Sequence, residues 1–301
     1  MNQPIGFIGL GLLGSAMATR LLSADQSDVG FDGIIGYDLV AEKTNTLIRQ
    51  HASDRIQTAV SPALVAQHCD VIHLCVTTSD AVRDVITGNN GITSANSLPG
   101  KVVVDHSTTD VKLTRQLATE LSALGATLID APVSGGPSAA LSGSLSIMAG
   151  GEAQVIENIR SHVELLGRFT HMGSSGAGQA TKLVNQALVL PAYCMMAEAL
   201  RLAQAYDVDP AKVPHALETG HAGSNLLPIL FERMITEDFT PTGFARQVLK
   251  DLEMLHAASK DQTVAMPMTD QALTLFRLLV AQGKGELDGS AIVSLWPKPK
   301  H

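Results

Sequence analysis

The sequence predicts an α/β domain with a mostly parallel, doubly wound sheet, followed by an all-α domain. Short apolar runs of strand length alternate with amphipathic helices over the first part of the chain, as in a parallel sheet that helices cover on both faces. After Gly178 the strand signals stop and only helical segments follow. The length of 301 residues is enough for two such domains.

The first predicted elements are a strand at residues 4–8 and a helix at 12–23. The strand is a short apolar run closed by glycines, which is typical of a buried parallel strand. The helix has apolar residues at helical spacing, and its candidate inward positions are Leu12, Ala16, Leu21 and Leu22. The same alternation predicts strands at 33–37, 71–76, 101–105 and 126–129, and helices at 41–50 and 112–124.

The pattern changes near Gly150. Residues 143–149 and 169–172 still have strand character, but the later segments predict helices at 180–206, 210–219, 226–235, 245–260 and 267–282. We therefore expect a first domain over residues 1–172 and an all-helical domain over 173–301, with a long helix between them at about 179–206. Pro191 lies inside that helix, where it removes one backbone hydrogen bond and predicts a kink.

Charge and cysteine content exclude several function classes. The formal net charge is -8 and no basic stripe is present, so we expect no nucleic-acid partner. The basic cluster at residues 297–301 is interpreted as a solvated tail. Cys69, Cys75 and Cys194 lie in apolar surroundings and are too few for a disulfide framework, so we expect buried free thiols rather than a catalytic cysteine.

The chain is expected in the cytoplasm, with no membrane partner. The first strand begins so early that it leaves no room for the basic start and apolar stretch of a signal peptide. The longest apolar segment, residues 186–206, contains Pro191, Glu198 and Arg201. We interpret it as a buried helix that is too polar to span a bilayer.

A glycine-rich turn after the first predicted strand is typical of a dinucleotide site. Gly9-Leu10-Gly11-Leu12-Leu13-Gly14 follows that strand and opens the first helix, which is the context that G-x-G-x-x-G requires. The first glycine allows the tight turn, the second lets the backbone approach a pyrophosphate, and the third permits close helix–strand packing. Free N–H groups at the helix N-terminus favour the phosphate. We therefore predict a Rossmann domain that binds NAD(P) at these residues; a tight turn without a ligand is the alternative.

Asp38 ends the second predicted strand, where a carboxylate can accept hydrogen bonds from both ribose hydroxyls of the cofactor. It lies further along the chain than is usual, which we attribute to a long loop at residues 25–32. No arginine follows in Asp38-Leu39-Val40-Ala41, so we expect NAD to be preferred, with NADP as the second choice. The alternative is that Asp38 only caps the next turn.

Two further loops follow predicted strands and carry hydroxyl side chains. Val76-Thr77-Thr78-Ser79 and Ser107-Thr108-Thr109 lie at strand carboxyl ends, where ligands bind in an open parallel sheet. Their hydroxyls are therefore candidate cofactor contacts. Helix capping explains these hydroxyls equally well, and for Ser79 and Thr109 it is the better explanation.

The segment Asp130-Ala-Pro-Val-Ser-Gly-Gly-Pro137 follows a predicted strand and is a candidate anion site. Ser134 offers a side-chain donor, while Gly135 and Gly136 offer consecutive backbone N–H groups of the kind that form an anion nest. Such a nest suits the carboxylate of a small acid. A glycine-rich turn without a ligand is the alternative.

Residues 173–186 are the most informative stretch of the chain. A glycine-rich turn runs into a helix whose first turns carry Lys182, Asn185 and Gln186, three and four positions apart on one face. One cation and two amides together suit a site that holds a carboxylate and moves a proton. We expect Lys182 to meet the 130–137 turn in a cleft. There it would take the proton of a substrate hydroxyl as hydride leaves the carbon that bears this hydroxyl. The alternative for an isolated helical lysine is a surface charge.

Together these residues resemble the β-hydroxyacid dehydrogenases, the family of 3-hydroxyisobutyrate dehydrogenase and tartronate semialdehyde reductase (2-hydroxy-3-oxopropionate reductase). The segments that carry the resemblance lie in family order over nearly the whole chain, at 8–14, 130–136 with 143–150, 173–186 and 249–252. The resemblance implies a Rossmann domain followed by a helical domain. It also implies NAD(P)-dependent hydride transfer and a homodimer or homotetramer formed through the helical domain.

The same resemblance implies roles for single residues. Lys182 corresponds to the acid/base residue, and Ser134, Gly135 and Gly136 correspond to the residues at the substrate carboxylate. We add the two amides near the lysine, Asn185 and Gln186, as substrate contacts. The cofactor contacts that the resemblance implies are Thr108 and Lys250, with Val76 and Thr77 in a loop along the cofactor.

Departures from the family pattern leave the substrate open between two types. Leu13 replaces a usual methionine, and Gln186 stands where asparagine is common, directly after Asn185. The Lys-Leu-x-Asn-Gln form and the 222–224 stretch resemble tartronate semialdehyde reductases more than 3-hydroxyisobutyrate enzymes. Asp38 without a following arginine leans towards NAD. We therefore expect a short 3-hydroxy acid or its semialdehyde, of either type.

Other functions have weaker support in the sequence. A non-catalytic module that senses redox state or binds a partner would keep residues 9–14 but would not need Lys182. Imine or aldehyde reductases share the fold, yet imine reductases usually replace the lysine. No histidine or cysteine spacing suggests a metal site. His106 is interpreted as a strand-end histidine bonded to backbone, and Ser134 lies in no G-x-S-x-G context that would indicate a hydrolase.

Overall fold

The computed structural model describes residues 3–24, 30–51 and 55–299. Most of the loop predicted at 25–32, and the last two residues of the 297–301 tail, therefore lie outside the described residues. The chain divides into two units, Met1–Lys182 and Leu183–His301. Each unit has its own buried apolar core.

The described part of the first unit contains one nine-stranded sheet with the order β3-β2-β1-β4-β5-β6-β8-β7, and β9 pairs with β8. The strands are β1 (Gln3–Ile8), β2 (Phe31–Tyr37), β3 (Ile56–Thr58), β4 (Val71–Leu74), β5 (Val102–Asp105), β6 (Thr127–Asp130), β7 (Val133–Ser134), β8 (Leu145–Gly150) and β9 (Gly167–Gly173). All pairs from β3 to β6 are parallel, whereas β8 runs antiparallel to β6 and β7. The predicted mostly parallel sheet is confirmed.

Helices cover both faces of this sheet. They are α1 (Leu12–Ser23), α2 (Ala41–His51), α3 (Pro62–His68), α4 (Ser79–Thr87), α5 (Val111–Ala123), α6 (Gly136–Ser142), α7 (Ala153–Val163) and the first turns of α8 (Ala177–Ala205). Val103 and Val104 are neighbours on β5 but belong to different buried clusters, because successive side chains of a strand point to opposite faces. The doubly wound arrangement is therefore confirmed.

The strand order reverses between β1 and β4. β1 pairs with β2 on one side and with β4 on the other, so the carboxyl ends of β1 and β4 lie side by side. In open parallel sheets, ligands bind in the crevice beside such a reversal. The fold thus places the turn at 9–14 and the loop after β4 at the position where a dinucleotide is expected.

Several details of the first unit differ from the sequence predictions. Ala16, Leu21 and Leu22 are buried as predicted, but Leu12 is 55% exposed, so its assignment to the inward face was wrong. Leu12 is the first residue of α1, and the space beside the neighbouring Gly11 is open. The short elements β3, α3, α4, α6 and β7 were not predicted, since segments this short carry little periodic signal. The 11-residue helix α7 was also missed.

The regular elements among the described residues of the second unit are helices joined by loops, apart from one isolated bridge between Phe244 and Asp288. It contains the rest of α8, then α9 (Val213–Leu217), α10 (Leu226–Thr236), α11 (Ala245–Gln262) and α12 (Pro267–Leu279), with 3₁₀ turns at Pro210–Lys212 and Gly289–Leu295. The predicted all-α region is confirmed. The helix predicted at 267–282 ends earlier, at Leu279, and Gly283 beyond it has a φ of 81°.

α8 is long and only partly buried. By length and composition alone it could cross a membrane, which is weak support for a membrane span because core helices pass the same test. The mean hydropathy of its most apolar window is 1.3, and 33% of that window is buried. The expectation of a buried helix is therefore met on one face only, by Leu190, Cys194, Ala197 and Leu200. Exposed apolar side chains lie at Val184, Leu188, Met195 and Leu202.

Candidate active site

The turn between β1 and α1 depends on glycine at two positions and leaves space at the third. A Cβ at Gly9, whose φ is +90°, would lie 2.2 Å from the carbonyl oxygen of Cys75, and a Cβ at Gly14 would lie 2.0 Å from the carbonyl oxygen of Gly9. A Cβ at Gly11 would meet no atom within 4 Å. The first and third glycines are therefore required by the fold, whereas the second borders an open space that a pyrophosphate could fill.

The N-terminus of α1 is suited to an anion. Gly11 is the residue that precedes the helix and has no side chain to accept from the first-turn N–H groups. Of the three leucines in the turn, Leu10 is buried, Leu12 is exposed and Leu13 is partly buried against the core. The residues present thus fit a dinucleotide whose phosphates approach the backbone here.

Asp38 holds the same turn to the end of β2. One carboxylate oxygen accepts from the backbone N–H of Leu10 at 2.8 Å, and the other accepts from the N–H of Val40 at 2.9 Å. The bond from Val40 is the contact expected if Asp38 caps the next turn, which was the alternative role predicted for this residue. Lys43 on α2 lies 3.4 Å away, so the carboxylate has a cation beside it that the search for a following arginine overlooked.

The loops after β4 and β5 are joined to each other. The backbone N–H of Val76 donates to the Ser107 hydroxyl at 2.9 Å, while Thr77 is exposed and Thr108 is partly exposed. The capping residues of α4 and α5 are Thr78 and Asp110. The assignment of capping to Ser79 and Thr109 was therefore off by one residue in both cases.

Those two hydroxyls have other partners in the structure. Ser79 accepts from the N–H of Asp110 at 3.0 Å, and Thr109 donates to the carboxylate of Asp105 at 2.7 Å. The displaced capping positions follow from where α4 and α5 begin, since a capping residue is the last one outside the helix. Both hydroxyls thus hold the two loops in place.

The predicted anion turn lies at β7 and the start of α6. Gly135 and Gly136 have φ values of 132° and 71°, and a Cβ at Gly135 would lie 2.6 Å from the Cβ of Ala139. Ser134 is partly exposed and Gly135 is exposed. The backbone of this turn therefore requires glycine at both positions, since other residues rarely adopt such φ values.

Lys182 is buried beside this turn. Its side-chain nitrogen donates to the carbonyl oxygen of Val133 at 2.8 Å, and the residue is only 8% exposed. Val133 directly precedes Ser134 on β7. The structure thus brings Lys182 and the serine–glycine turn together, although 49 positions separate Lys182 from Val133 in the chain.

Two buried aspartates that the sequence reasoning did not single out support this region. Asp130, at the end of β6, accepts from the N–H groups of Gly176 and Gln179 at 2.8 and 2.9 Å and so anchors the start of α8. Burial raises the pKa of Asp130, and those N–H groups oppose the rise. Burial raises the pKa of Asp105 to about 6. A signal was available in the sequence, because both aspartates end apolar strands.

His106 is bonded to backbone as expected, and it has a second partner. One ring nitrogen lies 2.9 Å from the carbonyl oxygen of Ala131, and the other lies 2.9 Å from a ring nitrogen of His73. Burial lowers the pKa of His106 to about 4 and the pKa of His73 well below its ordinary range. Both rings are therefore held neutral in the folded protein at neutral pH.

In the second unit, one carboxylate joins two of the predicted site residues. Gln186 donates to one oxygen of Asp251 at 2.5 Å, and the ammonium of Lys250 lies 2.9 Å from the other oxygen. Asn185 donates to the side-chain oxygen of Gln186 at 2.9 Å. The sequence analysis did not select Asp251, and adjacency to Lys250 was the only signal for it.

The three cysteines are free thiols. Cys69 and Cys194 are buried as expected, whereas Cys75 is only partly buried. Burial raises the pKa of each thiol to about 12, which disfavours the reactive thiolate form.

Two family models match this chain. Residues 4–174 match the NAD binding domain of 6-phosphogluconate dehydrogenase, and residues 176–296 match the NAD-binding domain of NADP-dependent 3-hydroxyisobutyrate dehydrogenase. Together the two matched segments span most of the 301 residues.

Curated relatives and solved structures agree with these models. The chain is 34% identical over 290 residues to 2-hydroxy-3-oxopropionate reductase of Escherichia coli K12, covering 96% of this chain and 95% of that protein. It is 33% identical over 291 residues to the probable mitochondrial 3-hydroxyisobutyrate dehydrogenase-like 2 of Arabidopsis thaliana, covering 97% and 92%. The crystal structure of 3-hydroxyisobutyrate dehydrogenase from Salmonella typhimurium matches with a TM-score of 0.84 and 26% identity, covering 98% of this chain and all of that one.

Proposed function

This chain belongs to the family of NAD(P)-dependent β-hydroxyacid dehydrogenases, and we propose that it acts on a short 3-hydroxy acid or its semialdehyde, with Lys182 as the general acid/base. Hydride passes between the nicotinamide ring and the β-carbon of the acid. The observation that supports the proposal most is the 2.8 Å hydrogen bond from Lys182 to Val133, next to Ser134. It brings a buried cation to the turn that suits a carboxylate.

The first unit supplies the groups that hold the cofactor. The N–H groups at Gly11–Gly14 would receive the pyrophosphate, and Asp38 would accept from the ribose hydroxyls. Val76, Thr77 and Thr108 would contact the cofactor from the loops after β4 and β5. The family resemblance adds Lys250 as a proposed cofactor contact. When bound, the nicotinamide accepts or supplies the hydride.

The protein's own groups handle the substrate and its proton. Ser134, Gly135 and Gly136 would donate to the substrate carboxylate and orient the molecule. Lys182 would accept the proton of the hydroxyl in the oxidising direction and return it in the reducing direction. Its low exposure keeps bulk water away from the amine, which favours proton exchange with a bound substrate.

The substrate is proposed to be of the 2-hydroxy-3-oxopropionate or the 3-hydroxyisobutyrate type. Both names occur among the relatives that match over nearly the whole chain. Asn185 and Gln186 are the proposed residues that distinguish between the two. Asn185 donates to the side-chain oxygen of Gln186, and Gln186 donates to Asp251, so the orientation of Gln186 is set by a carboxylate from α11.

NAD is proposed as the preferred cofactor. The carboxylate of Asp38 would repel a 2′-phosphate while accepting from a free ribose. Lys43 lies 3.4 Å from that carboxylate. Its positive charge would allow NADP to bind as well, although more weakly than NAD.

A second copy of the chain is the proposed partner, in a homodimer or homotetramer. The helical domain, proposed as residues 173–301, would form the contact while the NAD(P)-binding domain covers 1–172. Val184, Leu188, Met195 and Leu202 form an exposed apolar stripe on α8. An exposed stripe of this kind marks an interaction surface. Sedimentation of the wild type and of Leu188→Glu tests this proposed assembly, and a monomeric wild type would contradict it.

The free thiols agree with the proposed cytoplasmic location.

The test of the proposed activity is the absorbance of the reduced nicotinamide, followed with NAD and NADP against a panel of short 3-hydroxy acids and their semialdehydes. We expect turnover with at least one member. Cofactor binding without turnover on any member would instead favour a non-catalytic module. Turnover confined to imines or longer aldehydes would favour the other reductases of this fold.

A further inference from the structure

Gln179 lies in the first turn of α8, and its side chain is fully buried. Its side-chain oxygen accepts from the backbone N–H of Thr109 at 3.0 Å, and its side-chain nitrogen donates to the carbonyl oxygen of Ser107 at 2.8 Å. The two backbone groups flank Thr108, a proposed cofactor contact. The amide therefore connects the 107–109 loop to α8 with both of its ends bonded.

Both ends of this connection are anchored to the sheet. Asp105, at the end of β5, accepts from the N–H of Ser107 at 2.9 Å and from the hydroxyl of Thr109. Asp130, at the end of β6, accepts from the backbone N–H of Gln179 itself. Neither the 107–109 loop nor the start of α8 is held only by Gln179, but Gln179 joins one to the other through both of its amide atoms.

Lys182 follows Gln179 by three residues on α8, so the two side chains lie on neighbouring parts of one helix face. We propose that Gln179 is a positioning residue that sets the place of Lys182 relative to the 107–109 loop, and through that loop relative to the nicotinamide. This inference rests on the function proposed above. Gln179 itself contacts neither substrate nor cofactor in this proposal.

A positioning role and a purely structural role have different consequences. Loss of a purely structural contact lowers the fraction of folded protein and leaves the turnover of each folded molecule unchanged. Loss of a positioning contact moves the amine of Lys182 from its reacting position while the anion turn still binds the acid. Misplacement of a catalytic group by about 1 Å can lower turnover by about 10²-fold.

The first test replaces the amide with a side chain of similar size that cannot form these bonds. We expect Gln179→Leu to lower kcat per folded molecule by at least ~10-fold while KM for the acid changes by less than ~3-fold. The matched control is Gln116→Leu, because Gln116 is exposed on α5 and its amide donates to Glu120 on the same helix. An unchanged kcat per folded Gln179→Leu molecule overturns the proposal.

The second test uses Gln179→Glu, which can regain the missing donor by binding a proton. As a carboxylate it cannot donate to Ser107, whereas the protonated acid can donate there and still accept from Thr109. We expect the ratio of variant to wild-type kcat to rise as the pH falls. The charged or ionisable groups near position 179 include Asp130, bonded to its backbone N–H, and Asp105, bonded to Thr109, together with His106, Lys182 and Arg115. All are identical in both proteins, so a flat ratio overturns the proposal.

The outcomes also separate this inference from the proposed activity. If the wild type turns over no member of the panel, the proposed activity fails, and amide hydrogen exchange of the protein without substrate then tests the connection itself. We expect Gln179→Leu to lose exchange protection at residues 107–114 and 176–184 together. Loss confined to one of the two segments, or no loss, overturns the inference regardless of activity.

Discussion

The ammonium group of Lys182 on α8 donates a hydrogen bond of 2.8 Å to the carbonyl oxygen of Val133 on β7. A lysine on a helix is more often a surface charge, held in water by its long stem. Here the side chain is buried and bonded to Val133, the residue before Ser134. The geometry favours the interpretation of Lys182 as a site residue over that of a solvated cation, and its catalytic role stays a prediction.

The first prediction concerns that role. We expect Lys182→Met to lower kcat by at least ~10²-fold, because methionine keeps much of the buried stem but cannot accept or donate a proton. Cofactor affinity should be nearly unchanged. The measurement is steady-state turnover together with NADH binding by fluorescence. Lys260→Met, at an exposed position of α11, is the matched control. A kcat close to that of the wild type would remove Lys182 from the mechanism.

The second prediction separates the folding role of the glycine turn from its binding role. Gly11→Ala adds a Cβ into open space at a φ of -69°, so the free energy of unfolding should change little. The dissociation constant for NADH should rise by at least ~10-fold, or about 1.4 kcal/mol, because the methyl group obstructs the phosphate. Fluorescence titration and urea unfolding measure the two effects.

Two other glycines serve as comparisons for Gly11. A Cβ at Gly243 also meets no atom within 4 Å, and Gly243 is not a proposed cofactor contact, so Gly243→Ala should change neither stability nor NADH affinity. Gly14→Ala should destabilise the fold, since its Cβ would lie 2.0 Å from the carbonyl oxygen of Gly9. Equal NADH affinity of Gly11→Ala and the wild type would sink the pyrophosphate assignment.

The third prediction concerns cofactor choice. Asp38→Asn keeps an oxygen that can accept from Leu10 or Val40 but removes the negative charge beside the proposed ribose site. We expect the ratio of NADPH to NADH affinity to rise by about tenfold, the equivalent of about 1.4 kcal/mol. Lys43→Ala should shift the ratio in the opposite direction, because it removes the cation 3.4 Å from Asp38. Shifts of the same sign in both variants would contradict this assignment of charges.

The fourth prediction is a pH dependence of stability. Burial raises the pKa of Asp105 from an ordinary 3.8 to about 6. Because the folded state binds the proton more tightly, this contribution to stability is complete below pH 3.8 and is lost as the pH rises through 6. Asp105→Asn lacks that loss. Its free energy of unfolding relative to the wild type should therefore increase over this interval, as measured by urea unfolding at a series of pH values.

His106 provides the counterpart with the opposite sign. Burial lowers its pKa from 6.5 to about 4, so its contribution is present above pH 6.5 and is lost as the pH falls towards 4. His106→Gln keeps a donor for the Ala131 carbonyl and cannot titrate. Its stability relative to the wild type should increase as the pH falls. If the free energies of unfolding of the Asp105 and His106 variants, each relative to the wild type, changed with pH in the same direction, burial would not govern both pKa values.

The surroundings of the candidate site residues were only partly predictable from the sequence. Lys182, Ser134 and the glycines were identifiable because their residue types are unusual for packing and lie beside turn signals. Asp130 and Gln179, near Lys182, and Asp251, bonded to Gln186, were not selected from the sequence, since a single polar residue has no periodic signature. Their importance depends on partners from distant parts of the chain, such as Gln179 with Ser107 across 72 positions.

The sequence by itself determined the fold class and the glycine turn, because each rests on local spacing: alternation for strands, helical periodicity, and glycine where the backbone must turn. The family followed from the resemblance of several motifs in order along the chain. Only the tertiary structure decided that Leu12 faces outward, that Lys43 accompanies Asp38, and that one face of α8 is exposed. These features depend on which surfaces meet after the strands pair. Burial and charge pairing are set by neighbours distant in the chain, which local patterns do not record.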